Sequence, residues 1–551
     1  MKGIKASPGI AIGRAYLLVK NVDVSKKEII DTDYEIRRFE SAIEKSKKQL
    51  EKIGKEAKDK VGEKTARVFN AHILILKDPE FIPQIKKVIS SEKVNAEFAV
   101  KSVADKFYNM LSALKGEYLR ERASDVKDVG SRIILNLMGV ECDLSNLSEN
   151  TIVVAEDLGP SDTAQFDKDK VAAFVTDEGG RTSHSAVMAR IMQIPAVVGL
   201  GDITSSVKSG DILIVDGENG NVIINPDGSV INEYKKKKSE YEKHVEKLKE
   251  MVHLVPKTKD GREVKLEANI GTDKDISQVL ANGAGGIGLF RTEFLFMDRD
   301  SMPSEEEQFK AYKNAAESME KMNVTIRTLD IGGDKKLPYL NIGKEDNPFL
   351  GFRAIRFCLE NEEIFKIQLR AILRASACGN VSIMYPMISD INEVRSANKV
   401  LEKAKHELDD ENIAYDKNIK VGIMVEIPSS AVCADIFAKE VDFFSIGTND
   451  LTQYTLAADR GNKKVAKYYN YFNPGVLRLI KNCIDESHKY GKFTAMCGEM
   501  AGDTEAVKIL LGLGLDAFSM SASSIPAVKE AIRSTTYEEA KKEARKALKL
   551  D

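Results

Sequence analysis

A single histidine stands at the start of a helical pattern in Gly179-Gly180-Arg181-Thr182-Ser183-His184-Ser185-Ala186-Val187-Met188-Ala189-Arg190, directly after a glycine pair. Glycines let a backbone turn tightly and approach an anion. Thr182 or Ser183 can cap the helix, and the free amides of its first turn favour negative charge. His184 in that setting suits a nucleophile beside an anion pocket, a phosphate carrier. An ordinary turn followed by a capping or surface histidine fits the same twelve residues, and the local pattern does not separate the two.

A second set of reactive side chains lies far downstream. Arg291 with Glu293, Arg327 with Asp330, Glu426, Asn449 with Asp450, and Cys497 with Glu499 each close a short strand-like run. Arg353 and Arg460 follow in loops. A guanidinium presents a planar fork to phosphate or carboxylate oxygens, so Arg291, Arg327 and Arg460 are natural partners for a small polyanion. Glu426 and Asp450 supply hard oxygens, and Mg²⁺ typically takes one or two carboxylates plus substrate phosphate. Cys497 is either a proton donor or a small buried hydrophobe.

The elements that must position these groups follow from periodicity. Eight short runs alternate with helical ones: 265–270, 286–293, 324–331, 382–388, 420–426, 443–450, 493–499 and 517–522. Eight βα units over roughly 290 residues predict a TIM barrel, whose reactive groups gather at the C-terminal strand ends; a doubly wound open sheet is the competitor. His184 sits in a smaller α/β block with strands predicted at 151–155, 171–176, 196–199, 212–216 and 220–224, and the strand-like run that starts after Ser7-Pro8-Gly9 pairs with it. Between them, from about Asp31 to Gly139, apolar residues recur at helical spacing, as in Ile36, Phe39, Ile43, Leu50 and Ile53.

The predicted fold class is therefore multidomain α/β: a small α/β domain holding His184 at 1–20 plus 145–228, which the resemblance below makes a phosphohistidine domain, a helical subdomain at 21–144, a linker helix at 229–255 and a (β/α)8 barrel at 256–551. Within the linker, Lys235 to Lys238 interleave with Glu233, Glu240, Glu242 and Glu246, which reads as a solvated helix and not as a nucleic-acid patch.

The whole chain, 551 residues with 43% hydrophobic and 30% charged side chains and a net charge of −3, excludes a generic basic nucleic-acid binder and fits a protein of several domains. No apolar run is long enough to span a membrane, no leader pattern precedes the first strand, and six scattered cysteines lack metal spacing, so a reducing cytoplasm is expected. Gly283-Ala284-Gly285-Gly286-Ile287-Gly288 matches a dinucleotide fingerprint but precedes its strand, and no Gly-Lys-Ser/Thr loop occurs, so no nucleotide pocket is expected.

Taken in order, these motifs resemble those of the enzyme I family of the bacterial sugar phosphotransferase system, over essentially the whole chain. The resemblance rests on Ser7 to Ala11, Gly179 to Arg190, Gly288 to Met297, Arg327 to Lys335, Gly422 to Pro428, Phe444 to Tyr454 and Cys497 to Glu499. It implies a phosphorylated His184, Mg²⁺ on Glu426 and Asp450, and phosphoenolpyruvate contacts from Arg291, Arg327, Asn449 and Arg460, with Arg353 beside them. It further implies enolate protonation by Cys497, docking of the phosphocarrier protein HPr on the helical subdomain, and a homodimer through the barrel. Because His184 and the barrel fall in different domains, the linker helix is the expected swivel.

Two other readings share these motifs. A phosphoenolpyruvate synthase or pyruvate dikinase needs an added ATP-binding domain, for which the helical insert is too short and wrongly patterned. A regulatory protein that senses phosphoenolpyruvate without transferring its phosphate does not need the full set of Cys497, Arg460, Glu426 and Asp450.

Overall fold

The computed structural model describes residues 1–18, 24–61, 69, 71–113, 117–140, 147–163, 166–167, 170–180, 183–192, 194–297, 299, 301–333, 337, 339–340, 343, 345–462 and 464–549. The chain forms two compact units, Met1–His244 and Val245–Asp551, each treated by itself.

The first unit carries a seven-stranded sheet. Its strands are β1 (Ile4–Ser7), β2 (Ile10–Leu18), β3 (Thr151–Ala155), β4 (Val171–Thr176), β5 (Ala196–Val198), β6 (Ile212–Asp216) and β7 (Asn221–Ile224), in the spatial order β1-β5-β4-β3-β2-β6-β7. β2, β3, β4 and β5 run parallel, while β1, β6 and β7 pair antiparallel at the flanks. β3 and β4 are apolar almost throughout because both faces are covered, one by Phe166, Ala186 and Ala189, the other by Ile203 and Val207.

Helices Thr32–Val61, Phe81–Glu92, Ala96–Ala113 and Glu117–Leu137 bury a separate core around Phe39, Leu50, Phe69, Phe81, Val100 and Ile133. The stripe predicted from Ile36, Phe39, Ile43, Leu50 and Ile53 packs into this core. The charged run falls in the helix Gly228–Glu250, where Glu233–Lys237, Lys236–Glu240 and Lys238–Glu242 pair one turn apart.

The second unit is a closed barrel of eight parallel strands: β8 (Lys265–Ile270), β9 (Gly286–Arg291), β10 (Asn323–Arg327), β11 (Val381–Tyr385), β12 (Lys420–Val425), β13 (Phe443–Ile446), β14 (Phe493–Met496) and β15 (Ala517–Met520). Closure by the β15–β8 pairing decides against the open sheet. Outward-facing Leu266, Ile287, Ile326, Ile383, Ile423 and Phe444 join the surrounding helices in one large core, while Leu289, Met384, Met424, Phe443 and Cys497 form a small apolar cluster of their own.

Six of the eight strands end two to four residues before the predicted boundaries, β12 ends one residue before, and β8 ends at the predicted residue. The apolar pattern continues through 443–450, for example, but the chain leaves the sheet at Ile446 and enters the helix Thr448–Leu456, so Asn449 and Asp450 stand in a helical first turn. Among the described residues the cysteines are free, with Cys142 outside them, and no helix is long and apolar enough to cross a membrane.

Candidate functional site at the barrel mouth

Arg291 closes β9, Arg327 closes β10, and Glu426 and Cys497 directly follow β12 and β14, so the predicted residues collect at the C-terminal mouth. Arg327 is 6% exposed and donates from Nη2 to Glu293 Oε1 at 2.8 Å, with Asp330 Oδ2 at 3.2 Å. Burial opposes its charge, and Glu293 and Asp330 more than restore it. Its Nε is buried without a hydrogen-bond partner among the described residues. Arg291 is in the opposite position: burial and the Arg327 charge both lower its pKa, and it makes no ion pair among the described residues. Two adjacent guanidiniums with an unspent donor describe an anion site.

Arg353 is equally buried, and its fork is directed at Asp330. Its Nη1 donates to the Tyr454 hydroxyl at 3.3 Å, and its Nη2 lies 3.7 Å from Asp450 Oδ2. The approach depends on Gly332, with φ of 112°, where a Cβ would stand 2.4 Å from the Cβ of Arg353. Tyr454 in turn donates to the Phe349 carbonyl at 2.5 Å, tying the loop that carries Arg353 to the helix that carries Asp450. Asn449 accepts from the Glu499 amide through Oδ1 at 3.0 Å, and its carbonyl accepts from Tyr469 at 3.2 Å. Arg460 is exposed at the rim, its amide held by Gln453 at 3.1 Å.

Glu426 is buried and accepts from the Met387 amide at 2.6 Å. Met387 has a φ of 56°, unusual for a residue with a side chain, so backbone strain accompanies that contact. Burial first, then the charges of Asp450 and Asp330, push the Glu426 carboxyl well above the ordinary range, with Arg327 and Arg353 pulling the other way. Asp450 Oδ1 is buried with no hydrogen-bond partner among the described residues. Two buried carboxylates, one with an unspent oxygen, fit a hard divalent cation. No cluster of three or more His, Cys, Asp or Glu side chains able to hold a metal occurs among the described residues.

Cys497 is 3% exposed, its carbonyl held by Asn269 Nδ2 at 2.9 Å. Burial pushes its thiol up to about 11, against the pull of the Ser445 hydroxyl and of Arg327 and Arg291, so it keeps its proton at neutral pH.

In the first unit, His184 begins the helix His184–Met192 after β4. Of the two predicted caps, Ser183 accepts from the Ala186 amide at 3.3 Å and donates to the Gly180 carbonyl at 2.8 Å. Gly179 takes φ of 110° to make this turn. Arg181, Thr182 and the His184 side chain lie outside the described residues.

Asp330, Tyr454 and Tyr469 complete the barrel mouth. Asp330 was visible in the sequence at a strand end; the two tyrosines carry no local signal there, since aromatic residues in helices and loops are ordinarily core or surface.

Known family models match three stretches of the chain. Residues 2–122 match the N-terminal part of PEP-utilising enzymes, 147–220 their mobile domain and 245–537 their PEP-binding domain. The class is thus a PEP-utilising enzyme with its binding domain on the barrel. Phosphoenolpyruvate-protein phosphotransferases of Bacillus subtilis (51% identity over 100% of this chain and 97% of the relative), Listeria monocytogenes (52%, 100% and 96%) and Bacillus sp. strain S (52%, 98% and 93%) align along their length. The chain belongs to the phosphoenolpyruvate-protein phosphotransferase family.

Proposed function

We propose that the chain takes the phosphoryl group of phosphoenolpyruvate onto His184, releases pyruvate, and passes the group to a histidine of HPr, the first step of sugar uptake by the phosphotransferase system. The observation that carries this reading is the pairing, at one barrel mouth, of an incompletely neutralised Arg291–Arg327 pair with the protonated Cys497 thiol. Phosphoenolpyruvate brings a phosphate of roughly 1.5 to 2 negative charges plus a carboxylate. Arg291 and Arg327 suit the phosphate, and Asn449 and Arg460 complete the binding set. Arg353, committed to Asp330, fixes the carboxylate side of the site.

In the first half-reaction the neutral imidazole of His184 attacks phosphorus, an N–P bond forms and the enol O–P bond breaks. The electron pair passes to the enolate, whose terminal carbon takes the Cys497 proton to give pyruvate, and solvent reprotonates the thiolate. In the second half-reaction a carrier histidine attacks the same phosphorus and His184 leaves. The arginines act by positioning and by charge already oriented before the reaction.

Mg²⁺ is the cation that the donor set of Glu426 and Asp450 fits, and when bound it supplies charge stabilisation on the transferring phosphate. Residues 1–20 plus 145–228 act as the phosphohistidine domain and 256–551 as the binding and dimerisation domain, with 229–255 linking them. Residues 21–144 dock the carrier; exposed Leu74 and Met110 on this helical part support that assignment. The enzyme works in the cytoplasm as a homodimer.

The reading is tested by incubating the protein with phosphoenolpyruvate and Mg²⁺, with and without HPr. Pyruvate is expected in one equivalent per chain without carrier and in steady release with it. Release without a carrier at the full steady rate contradicts the phosphohistidine relay.

A further inference from the structure

Beneath the arginines runs a polar network that the mechanism above does not use. Gln368, in the middle of the helix Glu362–Ser376, is 1% exposed and makes three side-chain hydrogen bonds. Its Oε1 accepts from the Leu329 amide at 2.8 Å. Its Nε2 donates to the Thr292 hydroxyl at 3.2 Å and to the Tyr312 hydroxyl at 3.2 Å. Thr292 lies between Arg291 and Glu293, and Leu329 lies between Arg327 and Asp330. One amide therefore fastens both arginine-bearing loops to the same helix.

The direction of every bond in this network is forced. The Leu329 N–H can only donate, so the Gln368 oxygen must face it and the NH₂ must face the two hydroxyls. Thr292 spends its proton on the Arg327 carbonyl at 2.9 Å, and Tyr312 spends its proton on Gln308 Oε1 at 3.3 Å. Gln308 in turn donates to the Pro303 carbonyl at 3.1 Å. Both hydroxyls can thus only accept from residue 368. The site needs one acceptor and two donor hydrogens in a plane, which glutamine supplies and glutamate or methionine does not.

The geometry points to Gln368 as a positioning residue for phosphoenolpyruvate: it sets the spacing of Arg291 and Arg327 by holding the backbones of their loops from below. This rests on the proposed function, since it assumes that these arginines grip the substrate. Residue 368 touches no substrate, so its effect reaches the reaction only through the two loops.

Gln368→Met keeps volume and loses all three bonds, and leaving buried partners unpaired predicts roughly tenfold weaker binding or more. Gln368→Glu is the sharper variant. Ionised, it keeps the Leu329 bond but faces two oxygens it cannot satisfy. Protonated, it regains one donor. Its binding defect must therefore shrink as pH falls, whereas a purely structural role moves stability without a pH-dependent binding ratio.

The experiment measures calorimetric binding of phosphoenolpyruvate, with Mg²⁺, to wild type, Gln368→Met and Gln368→Glu between pH 5.5 and 8.5, with melting temperatures recorded alongside. The expected result is a Kd raised about tenfold or more in Gln368→Met, and a Gln368→Glu to wild-type Kd ratio that falls toward one at acidic pH. A wild-type Kd in folded Gln368→Met, or a pH-independent Gln368→Glu ratio, overturns the positioning role. A variant too unstable to fold overturns it in favour of a structural one if Gln368→Glu, when folded, binds as wild type. Failure of wild type itself to bind phosphoenolpyruvate overturns the functional reading and this inference with it.

Discussion

Arg353 grips Asp330 with a fork: Nη2 donates to both carboxylate oxygens at 2.9 and 3.1 Å, and Nε reaches Oδ1 at 3.2 Å. Asp330 also faces Arg327, so one carboxylate balances two guanidiniums and keeps both ready without neutralising Arg291. Removing one partner of a buried charge pair costs about 3–5 kcal/mol. Asp330→Asn is expected to lower the stability of the barrel by about that much and to raise the KM for phosphoenolpyruvate, measured by denaturant unfolding and pyruvate release. Unchanged stability and KM contradict the bridging role.

The carboxylates Glu426 and Asp450 predict metal dependence. Glu426→Gln and Asp450→Asn should each weaken Mg²⁺ binding in calorimetry, and the double variant should abolish it. Chelation of wild type should stop phosphoryl uptake, and added Mg²⁺ should restore it. If both single variants bind Mg²⁺ like wild type, the cation sits elsewhere.

For Cys497 the prediction concerns the second product. With its thiol at about 11 the donor stays protonated across neutral and mildly alkaline pH, so thiol titration should not depress pyruvate formation between pH 7 and 9. Cys497→Ala should slow pyruvate formation roughly 10²-fold or more, the usual worth of a placed general acid. Equal rates in the variant would assign the proton to another group.

Glu267 offers a stability test away from the reaction. It is buried on β8, and burial pushes its carboxyl up to about 7, with Lys265 opposing. The native state therefore binds more protons than the unfolded chain between its ordinary value of 4.5 and about 7, and stability falls as pH rises through that window. Glu267→Gln removes the titration. Relative to wild type, the variant should gain about 3 kcal/mol on going from pH 4.5 to pH 8, seen as diverging unfolding midpoints. Parallel pH profiles contradict the account.

Much of this was legible beforehand where local pattern and function coincide. The glycine pair and hydroxyls before His184 announce a capped helix start, and Arg291, Arg327, Glu426 and Cys497 could be placed at one mouth because eight short apolar runs imply a barrel. The apolar pattern overextends the strand ends because apolar residues continue past Ile446 into the next helix, and hydrophobicity does not mark where hydrogen bonding leaves the sheet. Gln368 was invisible: a glutamine inside an amphipathic helix reads as solvent-facing until packing shows Tyr312 and Thr292 against it. The sequence places Arg353 only in a loop, because its carboxylate partner lies 23 residues away in the chain.

The central claim is that His184 carries the phosphoryl group. The direct measurement is incubation with phosphoenolpyruvate labelled on phosphorus, followed by peptide mapping of wild type and His184→Ala. The account predicts acid-labile label on His184 of wild type, none on the variant, and loss of the label on adding HPr. Full labelling of His184→Ala, or label on another residue of wild type, contradicts it.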